Sequence, residues 1–252
     1  MTRGVRWLVI GLAMTVLAAC GGPEAERARQ DSALMHYDIG VGALADNNFS
    51  KAISELEIAV QEDPQNARGY HALGSAYLAA QQTDRAIVAF RRAVELNPRL
   101  SDAYNNLGGA YMQQQMWDLA IEAFRKALAN PQYLSPQQAY MNLGNIYYIQ
   151  KRYDLAAEEF QKLTDVLPES PDGYFFLGRT FLAQGKLAEA RDQLEQAIKI
   201  NGSIPTFHYE LGLTQMRAGK RAEAKESFRR ALDLNPSGRE AEEARRYLRE
   251  LN

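Results

Sequence analysis

Residues 104–111, Tyr-Asn-Asn-Leu-Gly-Gly-Ala-Tyr, contain the dipeptide that decides the fold, Leu107-Gly108. An apolar residue followed by Gly recurs along most of the chain, as Ile39-Gly40, Leu73-Gly74, Leu107-Gly108, Leu143-Gly144, Leu177-Gly178 and Leu211-Gly212. Successive copies are 34 residues apart, except for one step of 36. Each Gly is followed 12 residues later by Ala, and 4 residues after that by Phe or Leu. Self-similarity at a fixed period indicates an array of structural repeats.

Each repeat is predicted to be a pair of helices, because apolar residues recur at helical spacing in two blocks. The Gly lies inside the first block, where it costs about 1 kcal/mol relative to Ala. The missing Cβ at Gly74 and the small Ala86 allow the two helices to approach closely, with Tyr77 and Phe90 filling the gap to the next repeat. Pro98 ends the second helix, because the residue before a proline avoids helical geometry. Such a hairpin hides its apolar face only by stacking on its neighbours.

The columns of Gly, aromatic residues, Ala and Pro resemble the tetratricopeptide repeat (TPR) in six copies, spanning residues 33–236. The resemblance implies an all-α fold, a right-handed superhelical solenoid of six TPR helix hairpins in which the first helix of each hairpin lines the concave face. The last segment, residues 237–252, carries one apolar stripe made of Ala241, Ala244, Leu248 and Leu251. We expect this segment to form a capping helix over the last repeat.

Residues 1–19 are predicted to be a signal peptide. Arg3 and Arg6 precede an apolar run, Trp7 to Ala19, that is too short to cross a bilayer as a helix. Leu17-Ala18-Ala19-Cys20-Gly21 resembles the bacterial lipobox, which implies a covalent lipid on the Cys20 thiol. The alternative is a plain secretory signal with an accidental Cys.

The same resemblance predicts the membrane to which the protein is sorted. Gly21, where inner-membrane lipoproteins carry Asp, implies a lipid-anchored protein on the periplasmic face of the outer membrane. Residues 20–32, the lipidated Cys and a small, polar segment, are expected to form a tether that reaches at most about 40 Å when fully extended. No cofactor is expected beyond the lipid.

Composition argues against several other functions. Lys and Arg number 29 against 31 Asp and Glu, for a net charge of -2, so the chain lacks the basic field that nucleic acids require. His36, His71 and His208 lie far apart, and no metal site is expected. Gly185-Lys186 lacks the strand and further glycines of a phosphate-binding loop. No catalytic motif is present, and we do not expect an enzyme.

The concave face is the candidate binding site, and its residues follow from the repeat register. Three columns on the first helices are predicted to line it: Tyr37, His71, Asn105, Met141, Phe175 and Tyr209; Val41, Ser75, Gly109, Asn145, Arg179 and Leu213; Leu44, Leu78, Met112, Tyr148, Leu182 and Met216. This mostly apolar and aromatic set suits an apolar helix or an extended peptide. Alternatively, several members face a neighbouring helix and belong to the core. No repeat has the Lys and Asn pair with which chaperone-binding TPR proteins grip a terminal carboxylate.

The chain after residue 19 resembles a bacterial outer-membrane lipoprotein of six TPRs, the arrangement of the type IV pilus pilotins. One connection, residues 130–136, is lengthened, as in that family. The resemblance implies a protein that binds secretin subunits, with the N-terminal half of the groove, and promotes their localisation and assembly in the outer membrane. The expected partners are a secretin subunit or another pilus or envelope component, together with the membrane through the lipid. The alternative function is a periplasmic scaffold for enzymes that build peptidoglycan or polysaccharide.

Overall fold

The computed structural model describes residues 22–251, so the predicted signal peptide and lipidation site, Cys20, lie outside the described residues. The described part of the chain contains thirteen α-helices and no strand. It divides into two compact units, which meet in sequence after residue 65. The first unit contains α1 (Pro23–Ala45) and α2 (Phe49–Glu62). The second contains α3 (Ala67–Ala79), α4 (Thr83–Leu96), α5 (Ser101–Gln113), α6 (Trp117–Leu128), α7 (Pro136–Ile149), α8 (Tyr153–Val166), α9 (Pro171–Gln184), α10 (Leu187–Ile200), α11 (Pro205–Arg217), α12 (Arg221–Leu234) and α13 (Ala241–Leu251).

Residues 23–32 of the predicted tether are helical and form the first turns of α1. Pro at the first helical position has a backbone already suited to a helix. Glu24 and Glu26 lie in the first turn, where the helix dipole favours negative charge. Arg29 pairs with Glu26 one turn earlier. The composition of this segment suggests flexibility, but Ala, Glu, Arg and Gln are also strong helix formers.

In the first unit, α1 and α2 form a hairpin that is closed at Gly40. A Cβ atom on Gly40 would lie 2.6 Å from Cγ of Leu56, so the backbone of α1 rests directly on that side chain. Asn48 caps α2 by accepting a hydrogen bond of 3.2 Å from the main-chain nitrogen of Lys51. The first predicted repeat is therefore a helix hairpin.

The second unit contains five hairpins, and the same close approach occurs in each. In the α3/α4 hairpin, a Cβ on Gly74 would lie 2.6 Å from the ring of fully buried Phe90. The aromatic column also reaches forward, because the ring of Phe160 stacks on Phe176 of the next hairpin with centroids 5.3 Å apart. Close helix packing at the Gly column is confirmed, whereas contact between repeats through the aromatic column is seen for Phe160.

The turn inside each hairpin uses one residue with a left-handed backbone. These residues are Asn47, Gln81, Gln115, Lys151, Gly185 and Gly219, with φ between 57° and 76°. Only the last two are glycine, the residue that adopts this conformation without steric cost. Asn47 also tolerates this conformation, so local backbone strain is expected at Gln81, Gln115 and Lys151.

The irregular repeat spacing falls in the connection between α6 and α7. Asn130 holds this connection in place, since its Nδ2 donates to the main-chain oxygen of Arg99 at 3.1 Å and to Oγ of Ser101 at 3.0 Å. Tyr133 packs against the core formed by α6, α7 and α8. The lengthened connection is thus anchored to the preceding repeat.

The capping helix is confirmed as α13, although it begins at Ala241 rather than directly after Pro236. Ala244 and Leu251 are buried, as the apolar stripe predicts. The ring of Tyr247 stacks on Phe228 of α12 with centroids 5.3 Å apart. The last hairpin therefore has its apolar side covered.

Candidate protein-binding face

The second unit brings the first helices of its hairpins together. Helix α3 contacts α5, α5 contacts α7, and α9 contacts α11. We call the predicted groove positions on these helices the inner face. Its members are His71, Ser75, Leu78, Asn105, Gly109, Met112, Met141, Asn145, Tyr148, Phe175, Arg179, Leu182, Tyr209, Leu213 and Met216.

Four of these residues are buried, as expected from the alternative that several members face a neighbouring helix. The buried members are Asn105, Phe175, Leu182 and Tyr209. The ring of Phe175 lies 4.7 Å from that of Phe207 on the next first helix, measured between centroids. The ring of Tyr209 lies 5.9 Å from Phe228 of its own hairpin. These large aromatic side chains reach neighbouring helices and pack there, while the other eleven positions are half-buried.

The part of the inner face on α5 and α7 is rich in amides. Nδ2 of Asn105 donates to Oε1 of Gln138 at 3.3 Å, which joins the two helices. Nδ2 of Asn106 donates to Nε2 of His71 at 2.9 Å and joins α5 to α3. Asn145 is half-buried on α7. Amides offer both donors and acceptors, so this part can recognise polar groups of a partner.

The part on α7, α9 and α11 is organised around Arg179. Its Nε lies 3.1 Å from Oε1 of Glu210. Its guanidinium carbon lies 5.4 Å from the ring centroid of Tyr148 and 5.5 Å from that of Phe175. Planar guanidinium groups are held well by such aromatic faces. Arg179 is therefore fixed in one pose, with part of its side chain still exposed.

Burial shifts the pKa values of three groups on or beside the inner face. It raises the pKa of the Glu210 carboxyl, against the opposing effect of Arg179. It also raises the pKa of the Tyr209 hydroxyl, which donates a hydrogen bond to Glu243. Burial lowers the pKa of His71, with Asp102 acting in the opposite direction. His71 therefore favours its neutral form, in which Nε2 can accept from Asn106.

Sequence reasoning missed Asn106, Gln138 and Glu210. Asn106 and Glu210 occupy one column, two residues before the repeated Gly. That column adjoins the first predicted one, and its polar members in four of the six repeats were the available signal. Gln138 lies near the start of α7, where the irregular spacing obscures the register.

The first unit carries its own three predicted groove residues on α1. Tyr37, Val41 and Leu44 are spaced at helical intervals along one face. Val41 is 38% exposed, and the other two are half-buried. Leu34 and Met35 are exposed one turn earlier. This helix therefore presents apolar surface of its own.

Two other kinds of feature are absent from residues 22–251. Within that range, no helix has both the length and the apolar character needed to cross a bilayer. The same residues contain no group of His, Cys, Asp and Glu side chains placed to hold a metal ion.

Solved structures similar to this chain include PilF, PilW and YrrB. PilF of Pseudomonas aeruginosa superposes with a TM-score of 0.73 at 20% identity, over 87% of this chain and 99% of PilF. PilW, described as a widely conserved type IV pilus biogenesis factor, gives 0.71 at 20% identity, over 84% of this chain and 97% of PilW. YrrB, described as a TPR protein with an unusual peptide-binding site, superposes with a TM-score of 0.66 at 22% identity, over 76% of this chain and 97% of YrrB. At these identities the likeness shows the fold.

Sequence comparison gives the family. No curated protein matches the sequence. Models described as the tetratricopeptide repeat match residues 71–135, 135–201 and 205–237. These matches cover well over half of the chain and coincide with the hairpins of the second unit. With the stacked helix hairpins, they show that the chain belongs to the tetratricopeptide repeat family, whose repeats are protein-interaction scaffolds.

Proposed function

We propose that this protein is a pilotin, a lipid-anchored protein of the outer membrane that binds secretin subunits and promotes their localisation and assembly. The observation that carries the proposal is the position of the single Cys. Cys20 follows a signal-like segment within a lipobox-like sequence, and the TPR hairpins begin soon after it. The chain thus combines one lipid attachment point with one protein-binding body.

The start of α1 adds support, because it shortens the stretch of chain that could extend between Cys20 and the first hairpin. Only Gly21 and Gly22 separate Cys20 from the helix. Helix residues 23–32 span about 15 Å, against about 35 Å for the same residues fully extended. The first hairpin would therefore stay close to the membrane surface, where secretin subunits insert.

The structural neighbours are consistent with the same role. PilF and PilW are matched over 99% and 97% of their own lengths, so neither has a large domain that this chain lacks. PilW is described as a type IV pilus biogenesis factor. The identity of 20% shows a shared fold, and the pilus role of this chain remains the proposal.

Two substitutions test the proposal in the native cell. Cys20→Ser should release the protein into the periplasmic fraction and reduce secretin multimers in the outer membrane. Gly21→Asp should keep the lipid but retain the protein in the inner membrane, with a similar loss of secretin assembly. Membrane fractionation and gel electrophoresis of secretin multimers measure both effects, with the unchanged protein as control.

Normal secretin multimers in both strains would contradict the pilotin role. The scaffold for peptidoglycan or polysaccharide enzymes would then be the better function. Cross-linking in intact cells, followed by identification of the captured proteins, separates the two roles: secretin supports the first, and an envelope synthase or hydrolase supports the second.

A further inference from the structure

An open cleft of about 490 Å³ lies among α4, α5 and α6, and we call it the outer cleft. Apolar and aromatic side chains from all three helices line it: Val94, Tyr104, Leu107, Tyr111, Leu119 and Ala123. Leu119 is 45% exposed, so the apolar lining reaches the surface. None of the residues that line the outer cleft belongs to the inner face, so the second unit has a separate surface here.

One of the four charged residues that line the outer cleft lacks a counter-charge. Glu122 pairs with Lys126 at 2.7 Å, one turn apart on α6. Glu95 pairs with Arg92 at 3.5 Å. The exposed side chain of Arg91 makes no ion pair or hydrogen bond within residues 22–251. Among the described residues, the outer cleft therefore has one uncompensated positive charge beside an apolar lining.

The same Arg and Tyr positions are bonded to each other between the next two hairpins. There, Nη2 of Arg125 donates to the hydroxyl of Tyr147 at 2.9 Å, and Tyr147 is 1% exposed. Arg91 and Tyr111 hold the equivalent positions one repeat earlier. No hydrogen bond joins these two in the described part of the chain, and Tyr111 is only half-buried. The guanidinium of Arg91 and the hydroxyl of Tyr111 are therefore both available as donors to a ligand.

We propose that the outer cleft binds a segment of a partner protein in which a carboxylate lies next to an apolar side chain. The guanidinium of Arg91 pairs with the carboxylate, because its planar set of donors matches the two carboxylate oxygens. The hydroxyl of Tyr111 donates a further hydrogen bond to the same group. The apolar side chain packs against Leu119 and the ring of Tyr104.

The charges of the lining favour this occupant over others. A purely apolar segment would cover Arg91 without giving it a counter-charge, and a buried unpaired charge is strongly unfavourable. A nucleic acid would bring several phosphates close to Glu95 and Glu122 as well as to Arg91. One carboxylate beside an apolar group matches both the charge and the lining. An Asp or Glu side chain and the C-terminal carboxylate of a chain share this chemistry.

The inference goes beyond the proposed function, because it assigns a second contact surface that needs neither the inner face nor the lipid. A chain with both surfaces can hold two partner proteins at once. Binding at the outer cleft does not require that either partner is a secretin.

A synthetic library of random dodecapeptides with free C-termini provides the probe. Peptides retained by the full-length protein, purified from membranes in detergent, are identified by mass spectrometry. Peptides that are also retained by the variant Leu119→Asp are set aside, because this substitution places a carboxylate at the cleft and should repel the proposed ligand. Each remaining peptide is synthesised with a fluorescent label, and its dissociation constant is measured by fluorescence polarisation.

Substitutions in the outer cleft test which groups hold the peptide. Arg91→Met should weaken binding about tenfold or more, because a charge-assisted hydrogen-bonded pair is lost. Tyr111→Phe keeps the ring and should weaken binding severalfold. Arg229→Met is the matched control and should leave binding unchanged, since Arg229 is exposed and follows Phe228 as Arg91 follows Phe90. Circular dichroism checks the folding of each variant, and the exposed position of Arg91 keeps the test valid if Tyr111→Phe unfolds.

Changes in the peptide identify the source of the carboxylate. Replacing an internal Asp or Glu by its amide should weaken binding about tenfold if a side chain supplies the carboxylate. Amidation of the C-terminus should have the same effect if the end of the chain supplies it. Either result supports the inference.

Three results would overturn the inference: no peptide distinguishes the unchanged protein from Leu119→Asp, Arg91→Met binds as tightly as the unchanged protein, or binding survives the removal of every carboxylate from the peptide. None of these measurements involves secretin, so each is distinct from failure of the pilotin role.

Discussion

Arg179 and Glu210 form an ion pair between α9 and α11, with Nε and Oε1 3.1 Å apart. Glu210 is the more buried partner, and burial raises the pKa of its carboxyl above the usual value. The pair therefore stabilises the protein mainly by giving a desolvated carboxylate a counter-charge.

Replacing Arg179 by Met should destabilise the protein by about 1–3 kcal/mol at pH 7, because Glu210 is left buried and charged. The loss should shrink toward pH 4. A raised pKa means that the folded state binds the Glu210 proton more tightly, so protonation favours folding and stability falls as pH rises through the pKa. Urea unfolding at several pH values measures this. The control Lys126→Met, in an exposed pair with Glu122, should cost less than about 1 kcal/mol; an equal cost for both variants would contradict the explanation.

Gly108 and Gly109 should respond oppositely to alanine. Gly108→Ala should destabilise the protein by about 1–3 kcal/mol, because the new Cβ meets the buried ring of Phe124. Gly109→Ala should stabilise it by about 1 kcal/mol, because the new Cβ would meet nothing within 4 Å in the described part of the chain and Ala is the better helix former. Thermal unfolding of the two variants side by side provides the measurement. Loss of stability in both would show that Gly109 also has a packing role.

The left-handed turn positions predict a second contrast. Gly185→Ala should destabilise the α9/α10 hairpin by about 1 kcal/mol, since φ at this position is 76°. Lys151→Gly, at the equivalent turn of the preceding hairpin, should be neutral or slightly stabilising, because it relieves the same strain while adding freedom to the unfolded chain. Differential scanning calorimetry measures the unfolding temperatures of the two variants. A stabilising Gly185→Ala would contradict the strain argument.

Removing the capping helix should make the protein self-associate. Truncation after residue 240 uncovers Phe228 and the other apolar residues that α13 buries, and solenoids depend on such caps for solubility. Size-exclusion chromatography should show oligomers or aggregate. Arg249→Ala, at an exposed position of the same helix, serves as the control, and this variant should elute at the same volume as the unchanged protein. A truncated protein that elutes without additional oligomers or aggregate would show that the last hairpin does not need the capping helix for solubility.

The hairpins could be predicted from sequence because their packing depends on single residues at fixed positions. Gly74 and Phe90 contact each other within one repeat, so their spacing alone encodes the contact. The burial of individual inner-face side chains could not be predicted in this way. Phe175 and Phe207 lie at different positions of successive hairpins, and their contact depends on how closely those hairpins stack. A repeat register gives the direction of a side chain, but the size of its neighbours decides whether it stays exposed.

The difference between Gly108 and Gly109 could not be predicted either, because it depends on the atoms that surround each glycine. Gly109 stood in a predicted column, yet it is not unusual there as a residue type. Only the coordinates distinguish a glycine required by packing from one that is not. The start of α1 was missed for a different reason, since the same residue types serve both linkers and helices.

The continuous α1 helix has a consequence for how a membrane-tethered molecule samples its surroundings. For a chain lipidated at Cys20, a long flexible linker would let the first hairpin move far from the lipid, whereas a helix that begins at Pro23 keeps it near the membrane surface. This confinement raises the effective concentration of the binding site for any partner at the same membrane surface. A modest intrinsic affinity is then enough for capture at the leaflet, and the same affinity releases the cargo once it moves away.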